Sequence, residues 1–388
     1  ERKDPMWKYI LRRSVQIVVT LLLYLAITYF LLDAQPGDMT LQYMNPRFTE
    51  TQRQALQVRL GLDKPVTERF VMWVGNMLRG ELGDSFSESK PVIEIIKERA
   101  PRTVFLFLTA ALTTFFVGYY LGRLLAWRRG TKTEYAITVF GAVMYSIFTP
   151  WFGLMMVLFF GYYLKWFPLG KFLDPVIWRG LPKDINANLI FNRLMLTALL
   201  VTTAMLAVFI LVRRFAPGRT ARILPGAAFI AVILALLAWI VYPYAYLAGD
   251  ILRHLVLPVL TLTLVNFSGT MLLTRTTMLE TLREDYIMAA RAKGLPEKTV
   301  RDKHAARNAM LPVFSSFIIG LPFIFAGGII TETVFSWPGM GLTLLQAATT
   351  NDIPLIMGTW LFIGILSLTA HLVADIAYVF IDPRIRYA

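Results

Sequence analysis

Few side chains in this sequence have the types and spacing that chemistry needs. The three histidines, His254, His304 and His371, are scattered without ligand spacing, so the pattern supports no metal site. No Gly-x4-Gly-Lys-Ser/Thr phosphate loop occurs, which rules out ATP hydrolysis by that route, and no Gly-x-Ser-x-Gly nucleophile elbow is present. Cysteine is absent, so disulfides, thiolate metal sites and thiol catalysis are excluded. Two acidic positions remain. Asp375 follows His371 by one helical turn, which puts both on one face. Inside a span such a pair reads either as a proton relay or as a structural hydrogen bond. Glu332 closes an apolar run, where an acid is expected to face water at the interface.

The most legible pattern is the stretch 285–312, DYIMAARAKGLPEKTVRDKHAARNAMLP, a polar segment between two greasy ones. Between Arg275 and Pro312 the bases are Arg275, Arg283, Arg291, Lys293, Lys298, Arg301, Lys303 and Arg307. A basic loop between spans belongs on the cytoplasmic side. Ala289, Ala290 and Ala292 leave a small-residue patch on a short helix, and Gly294 suits a left-handed helix end. Pro296 suits the first turn of a second helix. A short helix with a low, smooth face is built to dock into a groove on another protein.

The elements that must carry this segment are membrane helices. The chain has 388 residues, 56% of them hydrophobic, with a mean hydropathy of +0.56. Several apolar runs exceed the roughly 18 residues that mark a spanning helix. Charged residues make up 16%, against about 25% in a typical soluble domain. The net charge of +14 lies between the apolar spans rather than along one face, which argues for topology and against nucleic acid as a partner.

Eight spans are expected, at about 15–32, 103–127, 135–164, 194–212, 223–246, 252–274, 313–333 and 353–381, so the fold class is an all-α polytopic membrane bundle. Arg2, Lys3, Lys8, Arg12 and Arg13 precede the first span and place the N-terminus inside. Short inside turns follow, one with Arg128, Arg129 and Lys132, another with Arg213, Arg214, Arg219 and Arg222. Both termini are then cytoplasmic. The first apolar run is long, and no small-x-small cleavage site follows near Asp33, so a retained helix is expected rather than a signal peptide. The segment 33–102 is charge-balanced and reads as a solvated cap, with helices near 49–60 and 66–78. In the sixth span Asn266, Ser268 and Met271 are expected to face a passage. The seventh carries the small and kinking residues Gly320, Pro322, Gly327 and Gly328.

The 285–312 stretch resembles the cytoplasmic EAA loop of ABC-importer permeases, the element that couples transport to a separate ATPase. Ala289, Ala290, Gly294, Leu311 and Pro312 match that pattern. Met288 stands where the pattern has Glu, and the Gly-to-Pro spacing is longer. Both departures are similar to the oligopeptide, dipeptide and nickel branch, in which ARAKG followed by HAxRNAxxP is typical. This chain has that string at His304, Ala305, Ala306, Arg307, Asn308, Ala309 and Pro312. Further likenesses are Pro36-Gly37-Asp38, the Leu60-Gly61-Leu62-Asp63 turn with Pro65, Trp73, the Gly80-to-Ser85 turn and Glu332 with Phe335-Ser336-Trp337-Pro338-Gly339. Asp352 with Pro354, and the closing string Asp375, Tyr378 and Asp382 to Arg386, complete them.

What the resemblance implies is specific. The chain divides into 1–33, a first helix and its tail; 34–102, an extracytoplasmic region; and 103–388, a permease domain. That domain holds an inserted hairpin at about 172–250, with Pro217-Gly218 at its turn, and a coupling loop at 275–312. Removing the hairpin leaves the family's six-helix core. Glu284, Asp285, Tyr286, Ala289, Ala290, Arg291, Ala292, Lys293 and Gly294 are then the ATPase-coupling residues. Asn266, Ser268, Met271, Pro322, Gly327 and Glu332 line the substrate pathway. Asp63, Trp73, Trp337, Pro338 and Gly339 form an outer gate or binding-protein docking surface. The chain binds no cofactor or metal itself, and ATP and Mg belong to partner ATPases. Its implied partners are a second, different permease, two ATPase subunits, an external substrate-binding protein and membrane lipid. The implied function is peptide import through the inner membrane, with nickel complexes or oligosaccharides as alternative cargo. A secondary transporter driven by an ion gradient is the rival class. It calls for repeated halves and several buried charges, and only His371 and Asp375 answer that description.

Overall fold

The computed structural model describes residues 6–34, 64–182, 184–215, 220–326 and 328–381. The chain falls into two compact units. One comprises Glu1–Met155 with Pro258–Ala388, and the other is Met156–Leu257. Among the described residues six helices are long and apolar enough to cross a membrane, or seven when one sharply bent pair is taken together.

In the first unit, helix α1 (Met6–Asp33) keeps most of its large apolar side chains exposed, as a lipid-facing helix must. Helix α2 (Val66–Leu78) lies where the sequence places it, and Gly80 follows with φ +83. Its Phe70 and Trp73 pack on Tyr29 with ring centroids 5.4 and 6.3 Å apart, and Arg69 Nη2 donates to Asp33 Oδ1 at 2.8 Å. A small hairpin, β1 (Asp84–Ser85) and β2 (Lys90–Pro91), then pairs antiparallel. It leads into α3 (Val92–Trp127), whose 36 residues span about 54 Å at 1.5 Å per residue. That exceeds the ~30 Å hydrocarbon core, so the ends of α3 project beyond it.

The sequence pattern predicts one unbroken span at 135–164, and the structure breaks it. Helix α4 (Lys132–Ser146) and the helix that starts at Thr149 meet at 106°. Pro150 supplies no N–H and disfavours the helical region for the residue before it, so the chain starts a new helix there instead of continuing the old one. Helix α4 begins at a Thr-x-x-Glu cap, in which Thr131 Oγ1 accepts from Glu134 N at 3.3 Å. The Glu134 carboxylate accepts in turn from Gly130 N at 2.6 Å.

The second unit continues α5 (Thr149–Met156) as a π-helical stretch, Val157–Tyr163, and then holds the inserted pair α6 (Ala187–Phe215) and α7 (Thr220–Ile240). These two pack on each other, and no residue in the apolar window of either is buried. Helix α7 stops at Ile240 rather than 246, because Pro243 lies in the turn that follows. Arg193 of α6 places its guanidinium 3.7 Å from the Tyr242 ring centre, closing the pair at that end. A buried Asp250 accepts from Asp174 N at 3.0 Å and Trp178 Nε1 at 2.8 Å, which pins the loop before α6.

Helix α8 (Ala245–Thr281) starts in the second unit and ends in the first. The first unit then continues with α9 (Asp285–Ala292), the short α10 (Glu297–Thr299) with a π-helical turn Val300–Ala305, α11 (Ala306–Ala326), α12 (Gly328–Val334), α13 (Met340–Thr349) and α14 (Ile353–Ile381). The span expected at 313–333 is thus covered by α11 and α12. Helix α14 packs against α11, α1, α13 and α3. Tyr24 of α1 meets Trp360 of α14 edge-on at 5.7 Å.

Candidate functional site

In the first unit, α3, α11 and the part of α8 after Pro258 border a cleft of about 670 Å³, closed at one side by the α4–α5 corner and by α12. Asn266 lines it, as the sequence suggests, and its Nδ2 donates to Leu262 O at 2.8 Å. Gly320 lines it too. Ser268 and Met271 do not. Two residues on from Asn266 is about 200° around a helix, and both side chains are buried against α4 instead. A methyl on Gly141 of α4 would sit 2.9 Å from Met271 Cε and 3.1 Å from Ser268 Cβ. The side chain of Pro322 and the whole of Gly327 lie outside the described residues.

Glu332 is the main correction. It does not face water at an interface but is fully buried, and its carboxylate organises the turn that follows. Thr103 of α3 donates its hydroxyl to Glu332 Oε1 at 2.7 Å, and Leu342 N donates to Oε2 at 2.9 Å. The same Thr103 oxygen accepts from Met340 N at 2.7 Å, so one hydroxyl uses both its donor and its acceptor capacity. Trp337 N donates to Glu332 O at 2.8 Å, and the indole Nε1 reaches Arg102 O at 3.2 Å. Only glycine fits at 339, because a Cβ there would fall on Glu332 Oε1 and Thr103 Oγ1. Trp337 and Gly339 are therefore internal parts of a latch and offer no docking surface, while Pro338 is half-buried. Trp73 is spent on the aromatic cluster with Tyr29 and Phe70. Asp63 lies outside the described residues.

Asp352 makes a second latch. Buried, it caps α14 through Leu355 N at 3.2 Å and accepts from Ser85 Oγ at 2.6 Å and Ser87 Oγ at 2.8 Å. It thereby fixes the β-hairpin turn to the start of α14.

About 30 Å further along α3 from Thr103, the basic segment forms the helix that the sequence predicts. Gly294 has φ +72 and terminates α9, while Pro296 stands just before α10 rather than within it. Helix α9 presents Glu284, Asp285, Tyr286, Ala289, Arg291, Ala292 and Lys293 outward. Ala290 turns inward with Ile287. Together they seal a core made of Ala126 from the end of α3, Met278 from the end of α8, Val300, and Ala306 and Ala309 from the start of α11. All three cleft helices thus converge beneath α9. Asn308 Nδ2 donates to the Tyr286 hydroxyl at 2.8 Å. A charged clamp adds to this packing: Asp302 receives both Arg123 of α3 and Arg301, whose guanidinium lies 5.1 Å from the Trp127 ring centre.

His371 and Asp375 each have a contact of their own. His371 Nδ1 bonds to Ser367 O at 2.8 Å, and Asp375 pairs with Arg13 of α1 at 3.3 Å. Among the described residues no three metal-ligating side chains stand together.

Two family models match this chain. One, the inner membrane component of binding-protein-dependent transport systems, covers residues 219–387, and the N-terminal domain of the same membrane component covers residues 6–107. The di/tripeptide transport system permease protein DppB of Pseudomonas aeruginosa is 30% identical over 383 residues, covering 98% of this chain and 99% of its own. The chain belongs to this permease family. The oligopeptide transport system permease protein AppB of Bacillus subtilis is 29% identical over 383 residues, with 98% of this chain and all of the relative covered. Binding-protein-dependent permeases are multi-pass membrane components of ABC transporters and are not themselves the catalytic subunit.

In this permease, three contacts escape a reading of the sequence. Thr103 has no local signal, since its partner Glu332 lies 229 positions away. Nor does Asp302 look different from its charged neighbours until Arg123 is seen beside it. Gly118 and Gly122 of α3 form a Gly-x3-Gly pair at its crossing with α8, a signal that the pattern for close helix approach would find.

The clamp is also testable. The Arg301 hydrogen bond, helped by Arg123 and opposed by partial desolvation, holds the Asp302 carboxyl at about 2, below the usual carboxylate range. Because the folded value is the depressed one, the stabilisation is complete above the unfolded value and fades only as pH falls towards about 2. Asp302→Asn is expected to lower the unfolding temperature by the same amount at every pH between about 5 and 8. A wild-type-to-mutant difference that varies across that range, read by thermal unfolding in detergent, contradicts the clamp.

Proposed function

We propose that this chain is the pore-forming subunit of an ATP-driven importer that carries di- or oligopeptides delivered by an external binding protein. The named substrates of its relatives support peptide as the cargo. The observation that carries the mechanism is the convergence of α3, α8 and α11, the helices around the cleft, beneath the outward face of α9. A groove of an ATPase subunit takes that face. When ATP and Mg close the ATPase pair, α9 is pulled, and the core under it transmits the pull to the cleft helices. The pore rocks between inward- and outward-facing states, and each ligand acts only through its different affinity for the two. The assembly comprises a second permease of different sequence, two ATPase subunits and the binding protein, with both termini of this chain in the cytoplasm.

Ala289 and Ala290 separate docking from folding. Ala289 points outward, so Ala289→Trp is expected to leave the protein in the membrane with its unfolding temperature unchanged. Peptide uptake into proteoliposomes should fall at least about tenfold, and peptide stimulation of the ATPase should disappear. Ala290→Trp strikes the buried core and should unfold the segment instead. Normal stimulation in a folded Ala289→Trp transporter would remove α9 from the coupling role.

A further inference from the structure

The cleft wall raises a question that the family match leaves open: what part of a cargo this subunit reads. Among the described residues every side chain lining the cleft is uncharged, and none is Asp, Glu, Lys, Arg, His, Met or Cys. The nearest acid along the chain, Glu332, follows the lining residue Thr331 but is turned away and held by Thr103 and Leu342 N. The wall instead alternates two kinds of surface. Phe107, Phe115 and Phe317 are apolar, with the last two rings 4.6 Å apart, while Asn266, Thr270 and Ser316 supply neutral polar atoms. One Asn266 Nδ2–H is engaged by Leu262 O, which leaves the second N–H as a donor and Oδ1 as an acceptor at the wall, and the hydroxyls can donate or accept.

We propose that this wall recognises its cargo as a neutral polyamide, through backbone N–H and C=O groups and apolar side chains, and is indifferent to the sign of the cargo's side-chain charge. This rests on the peptide reading above and narrows it. A peptide backbone offers alternating donors and acceptors without net charge, which neutral hydroxyls and one side-chain amide can meet. A bare divalent metal ion would find no carboxylate, imidazole or thiolate among the described lining residues, so a metal passes this wall only inside a chelate that already satisfies it. Among the described residues no fixed charge lines this wall, where one would be felt strongly. A unit charge about 5 Å from a cargo charge, at an effective dielectric near 20, is enough to change affinity by well over tenfold.

The test uses the complete transporter, with its partner permease, ATPases and binding protein, in proteoliposomes. Three peptides of equal length that differ at one position, Glu, Gln or Lys, are supplied at saturating binding-protein complex, so that the binding protein's own preference drops out. Wild-type translocation rates for the three are expected to agree within about threefold. Asn266→Asp is expected to raise the Lys-to-Glu rate ratio about tenfold, and Asn266→Lys to lower it by as much. Ser316→Asp, at an independent position of the wall, should reproduce the Asp result and guards against an Asn266 variant that fails to fold. A wild-type ratio of tenfold or more overturns the inference, as do Asp and Lys variants that shift the ratio in the same direction or not at all. A wild type that moves another cargo but none of the three peptides overturns the peptide reading, and this narrower claim with it.

Discussion

Glu332→Ala is expected to abolish transport while leaving the chain inserted in the membrane. The substitution strips the acceptor from two donors, the buried Thr103 hydroxyl and the part-buried Leu342 N–H, and opens a void beside Gly339. The buried hydroxyl left without a partner costs about 1–3 kcal/mol, and the part-buried N–H less. The turn from Phe335 to Gly341 then loses its attachment to α3, and with it the defined position of α13. Glu332→Gln keeps the volume and one acceptor oxygen, so it should retain one of the two bonds and part of the activity. Unfolding temperature in detergent and ATP-dependent uptake are the two readouts. An alanine variant that matches wild type in both would show that the carboxylate does not hold the turn.

Gly122→Leu is expected to be the most damaging single change in the membrane core. A Cβ at 122 would lie 2.6 Å from Thr274 Cβ and would also run into the Met271 carbonyl oxygen, and backbone cannot be swung aside as a long side chain can. At Gly118, one turn earlier, a Cβ would meet Thr270 Cβ at 2.6 Å and Phe267 O at 2.8 Å. Helices α3 and α8 must separate to admit any side chain here, and both border the cleft. The cost is about 3 kcal/mol or more, at the upper end of overpacking penalties. Gly75→Ala is the internal control, because a Cβ in that helix meets nothing within 4 Å, and Ala favours a helix by up to about 1 kcal/mol over Gly. Unfolding midpoints of the two variants should move in opposite directions. A Gly122→Leu protein as stable as wild type would mean that α3 and α8 do not cross at this distance.

Much of the site is legible in the order of residues alone, and the misreadings follow one rule. The helix α9, its Gly294 terminus and its exposed Ala289 and Ala292 follow from local spacing, because helix periodicity and a left-handed cap are properties of a few neighbouring residues. Membrane spans are legible for the same reason: a run of apolar residues has no alternative to burying its backbone bonds in a helix. The errors lie where the direction of a side chain, not its type, carries the meaning. Met271 and Ser268 share the sixth span with Asn266 but face α4. Trp337 and Gly339 carry a family pattern without being exposed. An acid at the end of an apolar run is ordinarily solvated, and nothing near Glu332 in the sequence announces the hydroxyl that offsets the cost of its burial.

Composition, hydropathy and the spacing of small and basic residues were enough to establish a polytopic helical membrane protein with a short helix in a basic loop. Each of these depends on interactions within about one turn of helix or on partition into the bilayer. Which helix faces the cleft, which carboxylate closes the latch and where Ala290 points depended on partners more than a hundred residues away, such as Thr103 with Glu332 and Arg123 with Asp302. Those pairings are set by how the helices pack, and close packing is decided by the whole fold at once.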